Sequence, residues 1–151
     1  MNPSILIADD HPILIKGLKD FLIERSFNVI GTAKDGRAAL NFIIKEKPDI
    51  AILDVEMPFL TGIEIAKECL KNKINTKIIL ITLHKEIDIY LSAKKLNIFG
   101  YLLKEFALEE IETCINSVKN NTPYFSQQIK NHLGFTNETN AILKNLTITE
   151  R

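Results

Sequence analysis

Ile50-Ala51-Ile52-Leu53-Asp54 is an unbroken apolar run closed by an acid, and Ile5-Leu6-Ile7-Ala8-Asp9-Asp10 repeats the pattern early in the chain. Short apolar runs of this kind fit strands buried on both faces, the mark of a parallel sheet covered by helices. If the two strands are neighbours, the carboxylates of Asp9, Asp10 and Asp54 meet in one crevice at the carboxyl ends of the strands, where open α/β sheets bind their ligands. Three crowded carboxylates repel one another unless a cation sits among them, and oxygen donors suit a hard ion such as Mg²⁺.

Working outward from these two runs, strands and helices alternate. A strand over residues 4–9 leads to Pro12, which suits the first turn of a helix carrying Ile13, Leu14, Leu18, Phe21 and Leu22 at helical spacing. Residues 27–33 form a second strand, Asp35-Gly36 a turn, and 37–47 a helix that Pro48 stops. The third strand, 50–54, is followed by a loop through Pro58 and Gly62 and a helix over 63–71. A strand at 77–82, a helix at 86–96, a turn at Asn97, a strand at 99–103 and a helix over 107–120 complete the series. Five strands with a helix after each predict a doubly wound α/β fold. Residues 121–151 break the alternation: Asn120-Asn121-Thr122-Pro123 is turn chemistry, and 126–133 and 138–146 offer short helices at best. The chain divides into a domain over 1–120 and a linker or tail over 121–151.

With 151 residues, 46% hydrophobic and 25% charged, the chain can bury one good core plus an appendage. Nineteen basic residues match nineteen acidic ones, so no global field recommends nucleic acid or an anionic membrane as its own partner. No apolar stretch is long enough to span a bilayer. Cys69 and Cys114 are isolated, and with no leader-like start the chain reads as cytoplasmic and free of disulfides.

Asp54 can act as a nucleophile, because aspartate accepts a phosphoryl group to form an acyl phosphate while Mg²⁺ neutralises charge on the group in flight. Asp9 and Asp10 would hold that ion with Asp54, helped by the backbone carbonyl of Glu56. Thr82 ends the fourth strand, where its hydroxyl can bond a transferred oxygen. Lys104 follows the fifth, where its ammonium can pair with another. Singly, each residue has a blander reading: a helix cap or turn for the aspartates, strand composition for Thr82, a solvated surface for Lys104, a half-buried strand aromatic for Tyr101. His11 reads as an entry to the first helix, His84 as a loop residue and His132 as part of the tail. The conjunction overturns the bland readings, because acid pair, acid, hydroxyl and lysine all fall at the same ends of successive strands.

At this point the chain resembles the receiver domains of two-component response regulators. The carrying segments are Ile5-Leu6-Ile7-Ala8-Asp9-Asp10-His11-Pro12, Leu53-Asp54-Val55-Glu56-Met57-Pro58 with Thr61-Gly62, Ile81-Thr82-Leu83-His84, and Gly100-Tyr101-Leu102-Leu103-Lys104, covering about residues 4–120. The resemblance implies a sheet in the order 2-1-3-4-5. It makes Asp54 the phospho-acceptor for a sensor histidine kinase, Asp9 and Asp10 the Mg²⁺ acids, Thr82 the switch hydroxyl, Tyr101 the switch aromatic and Lys104 the phosphate-pairing lysine. The domain would be a signalling receiver rather than an enzyme, assisting its own phosphorylation and dephosphorylation, with Glu56 and His84 tuning the lifetime. The face switched would be that of the fourth helix (86–96), the fifth strand and the fifth helix (107–120), with homodimerisation on phosphorylation.

Asp-Asp-His-Pro, Thr-Leu-His and Gly-Tyr-Leu-Leu-Lys resemble most the NarL/FixJ class, whose members usually carry a LuxR-type helix-turn-helix domain. Pro123-Tyr124-Phe125-Ser126 is similar to the linker of those proteins, and Leu146-Thr147-Ile148-Thr149-Glu150-Arg151 to the opening of the domain that follows. The expectation is a receiver plus linker without its output domain, contacting DNA only through that domain. Departures from the family pattern are Glu105 where many receivers have proline, which puts a cis peptide there in doubt, Leu83 in place of a common alanine, and Leu96-Asn97-Ile98 before the fifth strand. Two rival readings are a haloacid-dehalogenase-like phosphatase, whose nucleophile belongs on the first strand, and a flavodoxin-like binding module, which wants a Gly-rich phosphate loop after that strand.

Overall fold

Alternation along each strand decides which side chain faces which layer. In the computed structural model, which describes residues 2–83, 96 and 98–127, β1 (Ser4–Ala8) sends Leu6 and Ala8 to one face and Ile5 and Ile7 to the other. β3 (Ile50–Asp54) does the same with Ala51 and Leu53 against Ile50 and Ile52. All five residues of β3 are buried, as double-sided coverage requires.

Among the described residues, two helices cover each face. α2 (Gly36–Glu46) and α3 (Gly62–Lys71) place Ala39, Ile43, Ile65 and Cys69 on the Leu6 side. α1 (Pro12–Glu24) and α4 (Ala107–Lys119) place Leu18, Leu22, Ile111, Ile115 and Val118 on the Ile5 side. Local chemistry sets where these helices begin. Pro12 stands in the first turn of α1. Asp35, read as a turn residue, is the N-cap of α2 and accepts from the Ala38 N–H at 2.8 Å. Thr61 and Glu64 close a reciprocal capping box on α3, a device worth about 1 kcal/mol.

The strand order is β2-β1-β3-β4-β5-β6 and every pairing is parallel, with β2 at Asn28–Ala33, β4 at Lys77–Thr82, β5 at Gly100–Leu103 and β6 at Tyr124–Phe125. The expected 2-1-3-4-5 order is borne out, and one strand is added. The sequence reading stopped the sheet at five strands because a two-residue strand has no period to detect, and Pro123 beside two asparagines reads as a turn. Once past the turn, the chain donates the Tyr124 N–H to the Phe99 carbonyl and the Ser126 N–H to the Tyr101 carbonyl, each at 2.8 Å, and so pairs the free edge of β5.

Register brings the functional ends level. Ala8 pairs with Leu53, Asp54 with Ile81 and Thr82 with Leu103, so Asp9, Asp54, Thr82 and Lys104 leave the sheet along one edge. Residues 104–106 form a single 3-10 turn and no described peptide bond is cis, the ordinary outcome where glutamate replaces proline at 105. No described helix is long and apolar enough to cross a membrane. The helix expected at 86–96, the Asn97 turn, His84, His132 and the tail from 128 onward lie outside the described residues, apart from Leu96.

Candidate functional site: an acid pocket at the carboxyl edge of the sheet

β1, β3 and β5 deliver Asp9, Asp54 and Lys104 to one point. Asp9 and Asp54 are 2% and 3% exposed, whereas Asp10 stays open to solvent. Lys104 Nζ lies 2.8 Å from Asp54 Oδ2 and 3.3 Å from Asp9 Oδ2. The Glu56 N–H, just past the end of β3, donates to Asp54 Oδ1 at 3.2 Å. Asp10, Asp54, Glu56, Thr82, Leu83 and Lys104, with His11, line a recess of about 260 Å³, so each acid, the hydroxyl and the lysine singled out in the sequence come together. Thr82 is itself buried, and Leu83 stands exposed at the rim.

Burial is the main influence on the Asp54 carboxyl and pushes it up to about 6; the Lys104 hydrogen bond opposes that shift and the Asp9 charge adds to it. Burial alone would pull the Lys104 ammonium down, yet the hydrogen bond and charge of Asp54, with Asp9 behind it, together hold it above its ordinary value. Two buried carboxylates against one ammonium leave the pocket short of positive charge. Oxygens of Asp9, Asp10 and Asp54, together with a ring nitrogen of His11, all fall within 4.8 Å of one another. That donor set fits a divalent ion of the Mg²⁺ kind, which accepts a few carboxylates and keeps its remaining waters.

The sequence reading missed His11 as part of this site. Its position directly after the acid pair was the available signal, but a histidine before a helix-initiating proline also has a purely local explanation. Tyr101, expected half-buried, is wholly buried and packs in the core on the α2–α3 side.

Residues 5–116 match the family described as the response regulator receiver domain. The chain belongs to that family. The receiver is 36% identical over 131 residues to the transcriptional regulatory protein DesR of Bacillus subtilis, covering 86% of this chain and 65% of DesR. It is 32% identical, with a TM-score of 0.72, to a solved DNA-binding response regulator of the LuxR family from Staphylococcus aureus, covering 77% of this chain and 98% of that one. The solved receiver domain of the response regulator NarL from Mycobacterium tuberculosis is likewise 32% identical, with a TM-score of 0.68 over 76% of this chain and 97% of that one. The receiver is thus of the NarL/LuxR class, and it spans about two thirds or less of the curated relatives it matches. The phosphatase reading fails on topology as well as on family, because Asp54 ends β3 rather than β1.

Proposed function

We propose that this receiver takes a phosphoryl group from a phosphohistidine of a sensor histidine kinase onto Asp54. The observation that carries the reading is the 2.8 Å contact of Lys104 with Asp54 Oδ2, which aims a held cation at the place where phosphoryl oxygens would gather. An Asp54 oxygen attacks phosphorus, the phosphorus–nitrogen bond of the donor breaks, and the imidazole leaves with that electron pair. Lys104 exchanges its carboxylate contact for a phosphoryl oxygen and stabilises the developing charge. Asp9, Asp10, Asp54 and the Glu56 carbonyl would hold Mg²⁺, whose contribution when bound is to neutralise charge on the transferring group.

The Thr82 hydroxyl then bonds another phosphoryl oxygen, and its shift makes room for the Tyr101 ring to turn inward. Tyr101 is wholly buried in this structure. The repacking alters a face formed by β5, α4 and the helix expected from the sequence over 86–96, which a second copy of the receiver or an attached LuxR-type output domain reads. DNA is contacted only through that output domain, with 1–120 as the receiver and 121–151 as the linker towards it, the first part of which adds β6 to the receiver's sheet. Glu56 and His84 tune the lifetime of the acyl phosphate, and hydrolysis resets the switch. A cytoplasmic setting suits both the kinase partner and the two free, buried cysteines.

Intact mass after treatment with acetyl phosphate and Mg²⁺ tests the acceptor. Wild type should gain one phosphate and Asp54→Asn none; equal labelling of the two proteins would move the acceptor elsewhere.

A further inference from the structure

His11 sits where a metal ligand would. Its backbone is extended at φ −106° and ψ 101°, and its N–H donates to Asp9 Oδ1 at 2.8 Å, a local turn that folds the ring back over the acids. Nδ1 is 2.7 Å from Asp9 Oδ1, 3.1 Å from Asp10 Oδ1 and 4.0 Å from Asp54 Oδ2. In an octahedral shell with bonds of about 2.1 Å, adjacent donors lie about 3.0 Å apart and opposite donors about 4.2 Å. Nδ1 therefore stands at adjacent-donor spacing from Asp9 and Asp10 and close to opposite-donor spacing from Asp54.

We infer that His11 Nδ1 is a ligand of this centre, so that the receiver prefers a later first-row dication such as Co²⁺ to Mg²⁺ beyond what the oxygens alone would give. The inference rests on the reading that Asp9, Asp10 and Asp54 hold a divalent ion. Mg²⁺ gains little from imidazole, whereas nitrogen donors raise affinity for the later first-row ions. Lys104 Nζ lies 3.0 Å from the same nitrogen and 2.8 Å from Asp54 Oδ2, in the space an ion between those two donors would take, so the ammonium swings aside on ligation. The ring is 60% exposed, so it meets an incoming ion without rearrangement of the core. It makes no side-chain cap bond to α1, so truncating it leaves the helix start intact.

The test is calorimetric titration of tag-free protein with Mg²⁺ and with Co²⁺ at neutral pH, using wild type, His11→Ala and His132→Ala, together with pulsed electron paramagnetic resonance of the Mn²⁺ complexes. Expected in His11→Ala are a loss of about ten-fold or more in Co²⁺ affinity, Mg²⁺ affinity within about two-fold of wild type, and disappearance of nitrogen coupling to Mn²⁺. His132→Ala, in the tail, should keep all three properties. A Co²⁺-to-Mg²⁺ ratio unchanged by His11→Ala, or nitrogen coupling that survives it, overturns the inference while leaving the Mg²⁺ site standing. Failure of wild type to bind either ion sinks the acid-pocket reading itself.

Discussion

Lys104 Nζ and Asp54 Oδ2 stand 2.8 Å apart although fifty residues separate them in the chain. The contact does not bring Asp54 back to an ordinary carboxylate. Burial, with Asp9 beside it, lifts the group to about 6 despite the lysine. The pocket is thus a site of stored electrostatic tension, relieved by a second cation or by a proton.

That tension makes stability depend on pH with a definite sign. An acid whose folded pKa lies above its unfolded value binds its proton more tightly when folded. The folded state is therefore favoured below the unfolded value near 3.8 and loses ground as pH rises towards 6. A shift of about two units corresponds to roughly 3 kcal/mol at neutral pH. In the presence of a chelator, Asp54→Asn should be more stable than wild type at pH 7 by an amount of that order, and the gap should close towards pH 4. Urea unfolding of both proteins across this range, repeated with Mg²⁺ to narrow the difference at pH 7, checks it; equal stability at pH 7 without metal contradicts it.

Gly62 holds the loop after Asp54 in place by having no side chain. Its N–H donates to the Val55 carbonyl, and a Cβ there would meet the Asp54 carbonyl oxygen at 2.7 Å and Leu80 Cδ2 at 2.9 Å. Gly62→Ala should cost about 1–3 kcal/mol through overpacking and should weaken metal binding, because the backbone that must yield carries Asp54. Gly17 is the contrast. It lies inside α1 with nothing near its missing Cβ, so Gly17→Ala should stabilise by about 0.5–1 kcal/mol. Thermal melts of the two variants should move in opposite directions.

Much of the site was legible because its acids, hydroxyl and lysine each terminate a strand whose apolar composition marks it plainly. Period and burial fixed β3 and β4 to the residue. Features built from contacts remote in sequence were not legible. The wholly buried Tyr101 is paired with Phe125 of β6, a neighbour that its own strand does not announce. The ring orientation of His11 follows from a turn bonded to the Asp9 side chain rather than from the helix it precedes. β6 is stabilised by edge pairing and by one distant glutamate, neither of which leaves a periodic trace.

That glutamate is Glu110 on α4. Its carboxylate accepts from the Tyr124 hydroxyl at 2.9 Å, the Ser126 hydroxyl at 2.6 Å and the Gln127 N–H at 3.2 Å, while Phe125 packs into the core beside Tyr101. One side chain thereby anchors the first residues beyond the turn to both the helix and the sheet. Bonds to a charged acceptor contribute about 1.5–3 kcal/mol each when buried and less here, where they are partly solvated. Glu110→Ala should therefore loosen 124–127 locally by roughly 1–3 kcal/mol without unfolding the sheet, since β1, β3 and β4 make no use of it. Amide hydrogen exchange is the measurement. The Ser126 N–H, bonded to the Tyr101 carbonyl, should exchange about ten-fold faster or more in the variant while amides of β3 keep their protection. Unchanged exchange at Ser126 would show that edge pairing alone holds β6, and equal loss in β3 would show that Glu110 supports the whole fold.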